Sequence, residues 1–401
     1  MLKALKGMKD ILPPDSRKFR YFIDNTTKIV EKYGFSFSQT PILEETSLFK
    51  RSVGESSDIV GKEMYQFIDK GGNDVCLRPE GTAGVVRSFV EHKLDRKGGI
   101  NRLFYYGPMF RYERPQKGRF RQFHQFGVES FGESNPLEDV NVIVMLKEIL
   151  DFFKINYTLQ LNSLGCPNCM PPFREKLIET LNNIDGLCSD CLRRKDTNPI
   201  RVFDCKNKNC QTLLKDAPRL NQHLCKSCQD DFEVVQKTLD SLSIEYEIDP
   251  NLVRGLDYYS KSAFEFVSGD LGAQNAVAGG GRYDKLVEFL DGRPTPAVGF
   301  AIGVERVLDM INIEEDEREG YYFGALVAEA ITPLFKTASK QRESSKVLIG
   351  YEAKSLKAHL KAADRANARY CAIIGEDELK DNKVWVKDLI TKEDHFIDIK
   401  Q

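Results

Sequence analysis

Between residues 15 and 33, apolar side chains fall at Phe19, Phe22, Ile23, Ile29, Val30 and Tyr33. Those intervals keep them on one side of a 3.6-residue period, which predicts an amphipathic helix that Gly34 is placed to end. FSFSQTPIL reads instead as a strand, and Pro41 removes an amide donor where pairing should stop, which suits an edge or an interface. A strand is expected at 75–77, then LRPEGTAGVVR, whose Pro-Glu-Gly turn leads into a helix. RLFYYGPMFRYER and FRQFHQFGVESFG alternate aromatic with polar residues and predict two strands joined by the polar loop RPQKGR. Helical spacing returns over 137–153, at Val140, Ile143, Val144, Leu146, Ile149, Leu150 and Phe153, and YTLQLNS predicts another strand.

The pattern then thins. Eight of the ten cysteines lie between Cys166 and Cys228, where apolar residues look too few for a firm core. Beyond them EYEID, AFEFVSG and AVGFAIGVERVL restore a sheet pattern, which the glycine run GGGRYDKL interrupts. From about residue 322 a separate α/β unit is expected, with strands KVLIGYE and RYCAIIGE, a helix over 356–366 and a hairpin in KVWVKDLITKEDHFIDI. The expected division is one domain over 1–321, interrupted by a cysteine-rich, helical insertion at 164–245, and a second domain over 322–401.

Composition narrows the function classes. The chain has 401 residues, 41% hydrophobic and 29% charged, an ordinary globular usage. Its 58 basic and 60 acidic residues exclude a protein that coats nucleic acid by bulk charge, so any polyanion must be met by a local patch. No apolar run approaches the roughly 18 residues that span a bilayer, and MLKALKGMKDILPPDSRKF lacks the apolar core of a secretory signal. A cytoplasmic protein with no membrane partner is expected.

One such patch stands out. FRYERPQKGRFRQFHQFG, residues 110–127, carries four arginines and a lysine among five aromatics, with Glu113 as its only acid. Guanidinium groups hold phosphate oxygens through a planar fork and do not lose their charge, so arginines fixed on adjacent strands make a polyanion clamp. Strand parity would point Arg119 and Arg121 together, with Phe120 and Gln122 opposite. Alone, this stretch reads more readily as a solvated hairpin with surface ion pairs. Arg254 in LVRGLDYY follows a strand-to-turn signal, and Arg306 in VGFAIGVER sits where a glycine-punctuated strand becomes a helix. Separated arginines on strand edges, beside glycines that admit a ligand to the backbone, favour a triphosphate.

These residues resemble the class II aminoacyl-tRNA synthetases and, within them, the histidyl-tRNA synthetase family. FRYERPQKGRFRQFHQFG is similar to the second class motif, AVGFAIGVERVL to the third, and TPILEE to the first, which in the family forms a homodimer interface. LRPEGTAG, LVRGLDYYS and AVAGGGRYDKL carry the histidine-specific part. The resemblance covers nearly the whole chain. It implies an α+β fold with an antiparallel-sheet catalytic domain and a C-terminal α/β anticodon-binding domain, and a ligase that makes histidyl-adenylate from L-histidine and ATP before charging tRNA(His).

It also implies roles. Arg111 would hold the α-phosphate, Glu113 the adenine amino group, and Arg306 the γ-phosphate, with Arg119 among the ATP contacts. Arg254 would cross the α-phosphate from the histidine side, so Arg111 and Arg254 are the expected catalytic pair. Glu129, Tyr258 and Tyr259 would supply the imidazole contacts, with Glu80, Gly81, Thr82 and Gln125 around the α-amino group and Tyr283 nearby. Gln116, Lys117 and Arg119 at the hairpin tip would meet the tRNA, and Lys354, Lys357, Lys361 and Arg365 would give the last domain a basic helix face. Mg2+ is expected with the ATP.

The cysteines form four pairs, Cys166 and Cys169, Cys188 and Cys191, Cys205 and Cys210, Cys225 and Cys228. C-x2-C and C-x4-C spacings chelate tetrahedral zinc, and cytoplasmic thiols seldom pair as disulfides, so two structural zinc sites are expected. Spacing leaves the partners open, with a nested arrangement suiting an insertion that leaves and rejoins one sheet. Two other readings stand beside the ligase: a catalytically silent regulatory paralogue, which would lack the last domain and key arginines, and a zinc-dependent nucleic-acid-binding module, which leaves the Glu and Tyr set unexplained.

Overall fold

Period-two alternation along the central strands sets the architecture. Phe126 and Val128, Val298, Phe300 and Ile302, and Phe264 and Phe266 all point to one side of a sheet, where they pack with Phe22, Ile143, Leu146 and Leu150 in a single apolar cluster. The helices that supply those partners, Asp15–Lys32 and Leu137–Phe152, cover that face. The intervening residues, Gln125, Gly127 and Glu129, Gly299, Ala301 and Gly303, and Glu265, face the other way.

This is a computed structural model, and it describes residues 2–54, 57–116, 118–269, 276–312 and 317–399. The main sheet has eight strands, in the order Ser36–Phe37, Asn101–Phe110, Gln122–Phe131, Ala297–Gly303, Ala276–Arg282, Ser260–Val267, Thr158–Ser163 and Glu247–Ile248. The six central strands pair antiparallel, and each edge strand is parallel to its neighbour. The architecture is therefore mixed and dominated by an antiparallel sheet.

Two expected features differ. The segment 35–43 is not one strand. Ser36–Phe37 closes the edge of the large sheet, whereas Leu43–Glu45 joins a three-stranded sheet with Asp74–Leu77 and Tyr65–Ile68. Pro41 interrupts the donors between them, and buried Arg78 serves the carbonyls left behind, its guanidinium on Thr40 O at 3.0 Å and its backbone N–H on Ile42 O at 2.9 Å. The glycine run also does not interrupt the sheet. Ala276–Arg282 is a central strand, and Gly280 lies so close to Gly299 O and the Phe264 ring that any Cβ would collide with them.

The insertion is better packed than its composition suggests. Helix Met170–Asn182 lines up Phe173, Leu177 and Leu181 at four-residue intervals, and these meet Val202, Leu214, Leu220 and buried cysteines in an apolar cluster. Helix Lys226–Ser241 runs back to the main body, where Val235 and Leu239 enter the large core.

Compactness divides the chain into Met1–Ile311 and Asn312–Gln401. The second unit has the strand order Val347–Ile349, Tyr321–Ala325, Tyr370–Ile374, Lys383–Asp388, Asp394–Asp398, parallel in the first three and antiparallel after. Helix Leu356–Arg365 starts at a Ser355 cap, so Lys354 precedes it, leaving Lys357, Lys361 and Arg365 exposed on it.

Candidate active site

The sheet face opposite the large core carries glycine and alanine between a few polar side chains, and a cavity of about 1200 Å3 lies over it. Gly279, Ala301 and Gly303 line it because larger residues would fill it. At Gly279 a Cβ would come within 2.5 Å of the Arg254 guanidinium, and at Gly299 it would collide with the Glu129 carboxylate. Two chemically different halves share this trough.

The first half is positively charged. Arg111 and Arg306 are held by carbonyls rather than acids: Arg111 Nε donates to Pro79 O at 2.9 Å, Arg306 to Ala276 O at 2.6 Å and Gly118 O at 3.3 Å. Burial, then the charges of Arg119 and Arg111, holds the Arg306 guanidinium below its ordinary pKa. Arg119 pairs with Glu113 at 2.9 Å. Fixed positive charges that repel each other are stabilised by a polyanion between them. Arg254, mostly buried, pairs with Glu265 at 2.5 Å, and its Nε has no hydrogen-bond partner among the described residues. Burial opposes its charge, but Glu265 keeps its pKa raised.

The second half is a buried polar pocket. Thr82 donates to Glu129 Oε1 at 2.7 Å, Tyr283 donates to Glu129 Oε2, and Tyr105 reaches Oε1 at 3.4 Å. Glu80 accepts the backbone N–H groups of Thr82 and Ala83 at 2.7 and 2.8 Å, next to Gly81, and Tyr258 approaches it at 3.5 Å. Tyr258 and Tyr259 pack 4.7 Å apart. Glu80, Thr82, Gln125, Tyr258 and Tyr259 line the cavity, whereas Glu129 and Tyr283 stand behind that wall, with Glu129 reaching it through Thr82. Gln125 Oε1 is buried with no hydrogen-bond partner among the described residues, an acceptor left for something absent.

Desolvation pushes Glu129 up to about 8, against the hydrogen bonds from Tyr283 and Thr82. An ordinary glutamate loses its proton near 4.5. The unfolded chain therefore releases a proton that the native pocket keeps, and this group's contribution to stability is lost as pH rises from about 4.5 to about 8. Glu129→Gln, which cannot titrate, is expected to flatten that part of the profile. Urea unfolding of both proteins at pH 5 and pH 8 measures it, and equal slopes would remove the neutral carboxyl from the account.

The strands end at Phe110 and resume at Gln122, so strand parity does not govern the arginines between them. Arg119 lines the cavity, whereas Arg121 stacks on the Tyr112 ring at 3.9 Å and donates to Glu113 O. Backbone hydrogen bonds between Gln116 and Arg119 close the tip, where Gln116 is exposed. Lys117 lies outside the described residues.

The cysteines gather in two sets, Cys166, Cys169, Cys225 and Cys228, and Cys188, Cys191, Cys205 and Cys210, with all sulfurs in each set within 4.8 Å of one another. The outer pairs combine and the inner pairs combine, which is the nested arrangement. Sulfur separations of 3.7 and 3.8 Å in the first set and 3.7 Å in the second are far beyond a disulfide. They match the edge of a tetrahedron with zinc–sulfur bonds of about 2.3 Å, which is about 3.8 Å. Backbone N–H groups of Cys225 and Cys188 point at Cys169 and Cys210 sulfurs at 3.1 and 3.2 Å, as thiolates require. Both donor sets fit zinc. Among the described residues no third group of this kind occurs, so the trough offers no carboxylate cage for a cation.

Three contributions escaped the sequence reading. Tyr105 is wedged between Gly81 and Gly127, where a Cβ on either would collide with its ring. Glu265 stood in plain view as an acid between Phe264 and Phe266 in a core strand. Asp204, Lys206, Lys215 and Arg219 of the insertion line the cavity, and no local pattern marks them.

A family model described as Histidyl-tRNA synthetase matches residues 7–307, and one described as Anticodon binding domain matches residues 332–401. A histidine–tRNA ligase of a Nitratiruptor species is 62% identical, covering 99% of this chain and 98% of that protein. That of Sulfurimonas denitrificans is 61% identical over 99% of both. The crystal structure of apo S. aureus histidyl-tRNA synthetase superposes with a TM-score of 0.84 at 36% identity, covering 99% of this chain and 97% of that one.

Proposed function

The chain belongs to the histidyl-tRNA synthetase family as a histidine–tRNA ligase, and from that premise we propose how its own residues divide the work. ATP lies along the positive half of the trough. Arg111 meets the α-phosphate, Arg306 the γ-phosphate, and Glu113 the adenine amino group, with Arg119 beside it. L-Histidine occupies the polar half. Its α-amino group meets Glu80, Thr82 and the Gln125 side-chain oxygen, and its ring meets Tyr258 and Tyr259, with Glu129 and Tyr283 behind.

A histidine carboxylate oxygen then attacks the α-phosphorus, the bond to the β-phosphate oxygen breaks, and pyrophosphate leaves. The nucleophile is already ionised at neutral pH, so no general base is needed. What the reaction requires is alignment and positive charge that meets the developing phosphoryl charge, and Arg111 and Arg254 supply both from opposite sides. A terminal ribose hydroxyl of tRNA(His) next attacks the adenylate carbonyl and AMP departs. Mg2+ would enter with the ATP, neutralising phosphate charge beside Arg111 and Arg306. Gln116, Arg119 and Lys117 meet the acceptor strand, and Lys357, Lys361 and Arg365 the anticodon end.

The observation that carries this reading is the crowding of Arg111, Arg119 and Arg306 in the same trough as a buried polar group, Gln125 Oε1, that has no partner among the described residues. Glu129→Ala is expected to raise the histidine KM of pyrophosphate exchange at least tenfold, about 1.4 kcal/mol or more, with the ATP KM nearly unchanged. Unchanged histidine dependence would refute the pocket assignment.

Zinc in each cysteine set would clamp the insertion, fixing four thiolates without redox chemistry. Homodimerisation through the first motif is supported by exposed Phe37, Ile42 and Leu43, which are 50%, 41% and 42% accessible. No described helix is long and apolar enough to cross a membrane. A cytoplasmic location follows from the tRNA substrate.

A further inference from the structure

Besides lining the trough, the inserted module grips the histidine-half loop through the Asp257 carboxylate. Asp257 lies in the loop that carries Arg254, Tyr258 and Tyr259. Its Oδ1 accepts from Arg201 Nε at 2.9 Å and from Asn198 Nδ2 at 3.0 Å, and a terminal nitrogen of Arg201 lies 2.9 Å from the same oxygen. Arg201 is only 6% exposed, whereas the Asp257 side chain is 24% accessible, so water screens the pair from one side only. On the other side Asp257 leans against Gly54, where any Cβ would collide with its Oδ2, and its backbone N–H meets Val53 O at 3.3 Å.

Packing alone does not fix the loop. A cavity of about 290 Å3 lies behind it, bounded by Phe173, Ile200, Leu256 and Tyr259 among others. Tyr258 and Tyr259 pack into the apolar clusters on either side, and directional polar contacts hold the Asp257 turn between them. Both insertion residues that make those contacts lie between Cys191 and Cys205, Arg201 within the short helix Pro199–Asp204 and Asn198 at its start. Cys191 and Cys205 belong to one cysteine set, so that set anchors both ends of the segment.

We infer that Arg201 is a positioning residue for amino-acid activation: through Asp257 it holds the Arg254-to-Tyr259 loop in register with histidine, and ties the Cys188–Cys210 set to the chemistry. The inference rests on assigning Arg254, Tyr258 and Tyr259 to the histidine site. A displacement of about 1 Å at such a site costs up to about 100-fold in rate.

Histidine-dependent pyrophosphate exchange by the full-length chain tests this, with histidine and ATP varied separately. Arg201→Ala is expected to lower kcat/KM for histidine about 10- to 100-fold while the ATP KM moves less than about twofold. Arg201→Lys keeps the charge but not the fork and should recover part of the loss. Arg201→Ala combined with Asp257→Asn should be no worse than the more impaired single variant. If Arg201→Ala does not fold by circular dichroism, Arg201→Lys and Asn198→Ala must show the same histidine-selective loss at smaller size. Wild-type histidine kinetics with a lowered Tm, or equal losses towards ATP and histidine, would overturn the coupling. Arg254→Ala serves as the separate control: if it retains wild-type exchange, the site assignment fails, whereas if it is inactive and Arg201→Ala is normal, only the coupling fails.

Discussion

Arg254→Ala is expected to reduce histidine-dependent pyrophosphate exchange by about 100- to 1000-fold, the usual cost of removing one preorganised donor from a developing charge. The side chain is built for that role. Glu265 holds one terminal nitrogen, Gly279 makes room for the guanidinium, and the Nε–H is left without a partner among the described residues. Because its ion pair is mostly buried, alanine also strands Glu265, and some loss of stability accompanies the loss of rate. Arg254→Lys separates the two effects. It restores a charge beside Glu265 but not the planar fork, so stability should recover more than activity does. Recovery of full activity with lysine would mean that charge alone, and not directed hydrogen bonding, is what the reaction uses.

Removing metal from the cysteine sets is expected to have the larger effect on structure. Each set brings four sulfurs to the separations that tetrahedral zinc demands, and structural zinc in small modules binds with about 10 kcal/mol or more of apparent free energy. The apolar cluster around Phe173, Leu177 and Val202 gives the insertion some stability of its own, so metal loss should loosen the module rather than unfold the whole chain. Protein purified under reducing conditions without chelator should contain two zinc equivalents per chain by elemental analysis. Cys205→Ser should remove one of them and open residues 188–210 to proteolysis. Protein without zinc, with all eight thiols reactive and the module still protected, would leave the cysteines as ordinary core residues.

Much of the catalytic unit was legible because its signals are local. The helix Asp15–Lys32 follows the apolar period closely, Leu137–Phe152 is apolar enough to be found although Val142 and Met145 are buried as well, and the strands Asn101–Phe110 and Gln122–Phe131 lie where the alternation put them. Parity failed between those strands because Arg111–Arg121 is loop, so side-chain direction there is set by partners such as Tyr112 and Glu113. The glycine strand Ala276–Arg282 was hidden because its residues are chosen for what approaches them, Arg254 and Gly299, and not for β-propensity. Tyr321–Ala325 and helix Ile331–Gln341 went unread: the strand shows no alternation since both its faces are covered, and the helix carries Pro333 in its first turn. The cavity-facing residues of the insertion lie far along the chain from the sheet they meet, and nothing local to them marks that approach.

The central claim is that one trough joins ATP to histidine and to no other amino acid. Pyrophosphate exchange into ATP by the purified, reduced, zinc-replete chain, without tRNA and with each amino acid in turn, tests it most directly. Exchange that depends on histidine and is absent with tyrosine, phenylalanine and glutamine is the predicted result. Exchange driven equally by another amino acid, or none with histidine in folded protein, would contradict it.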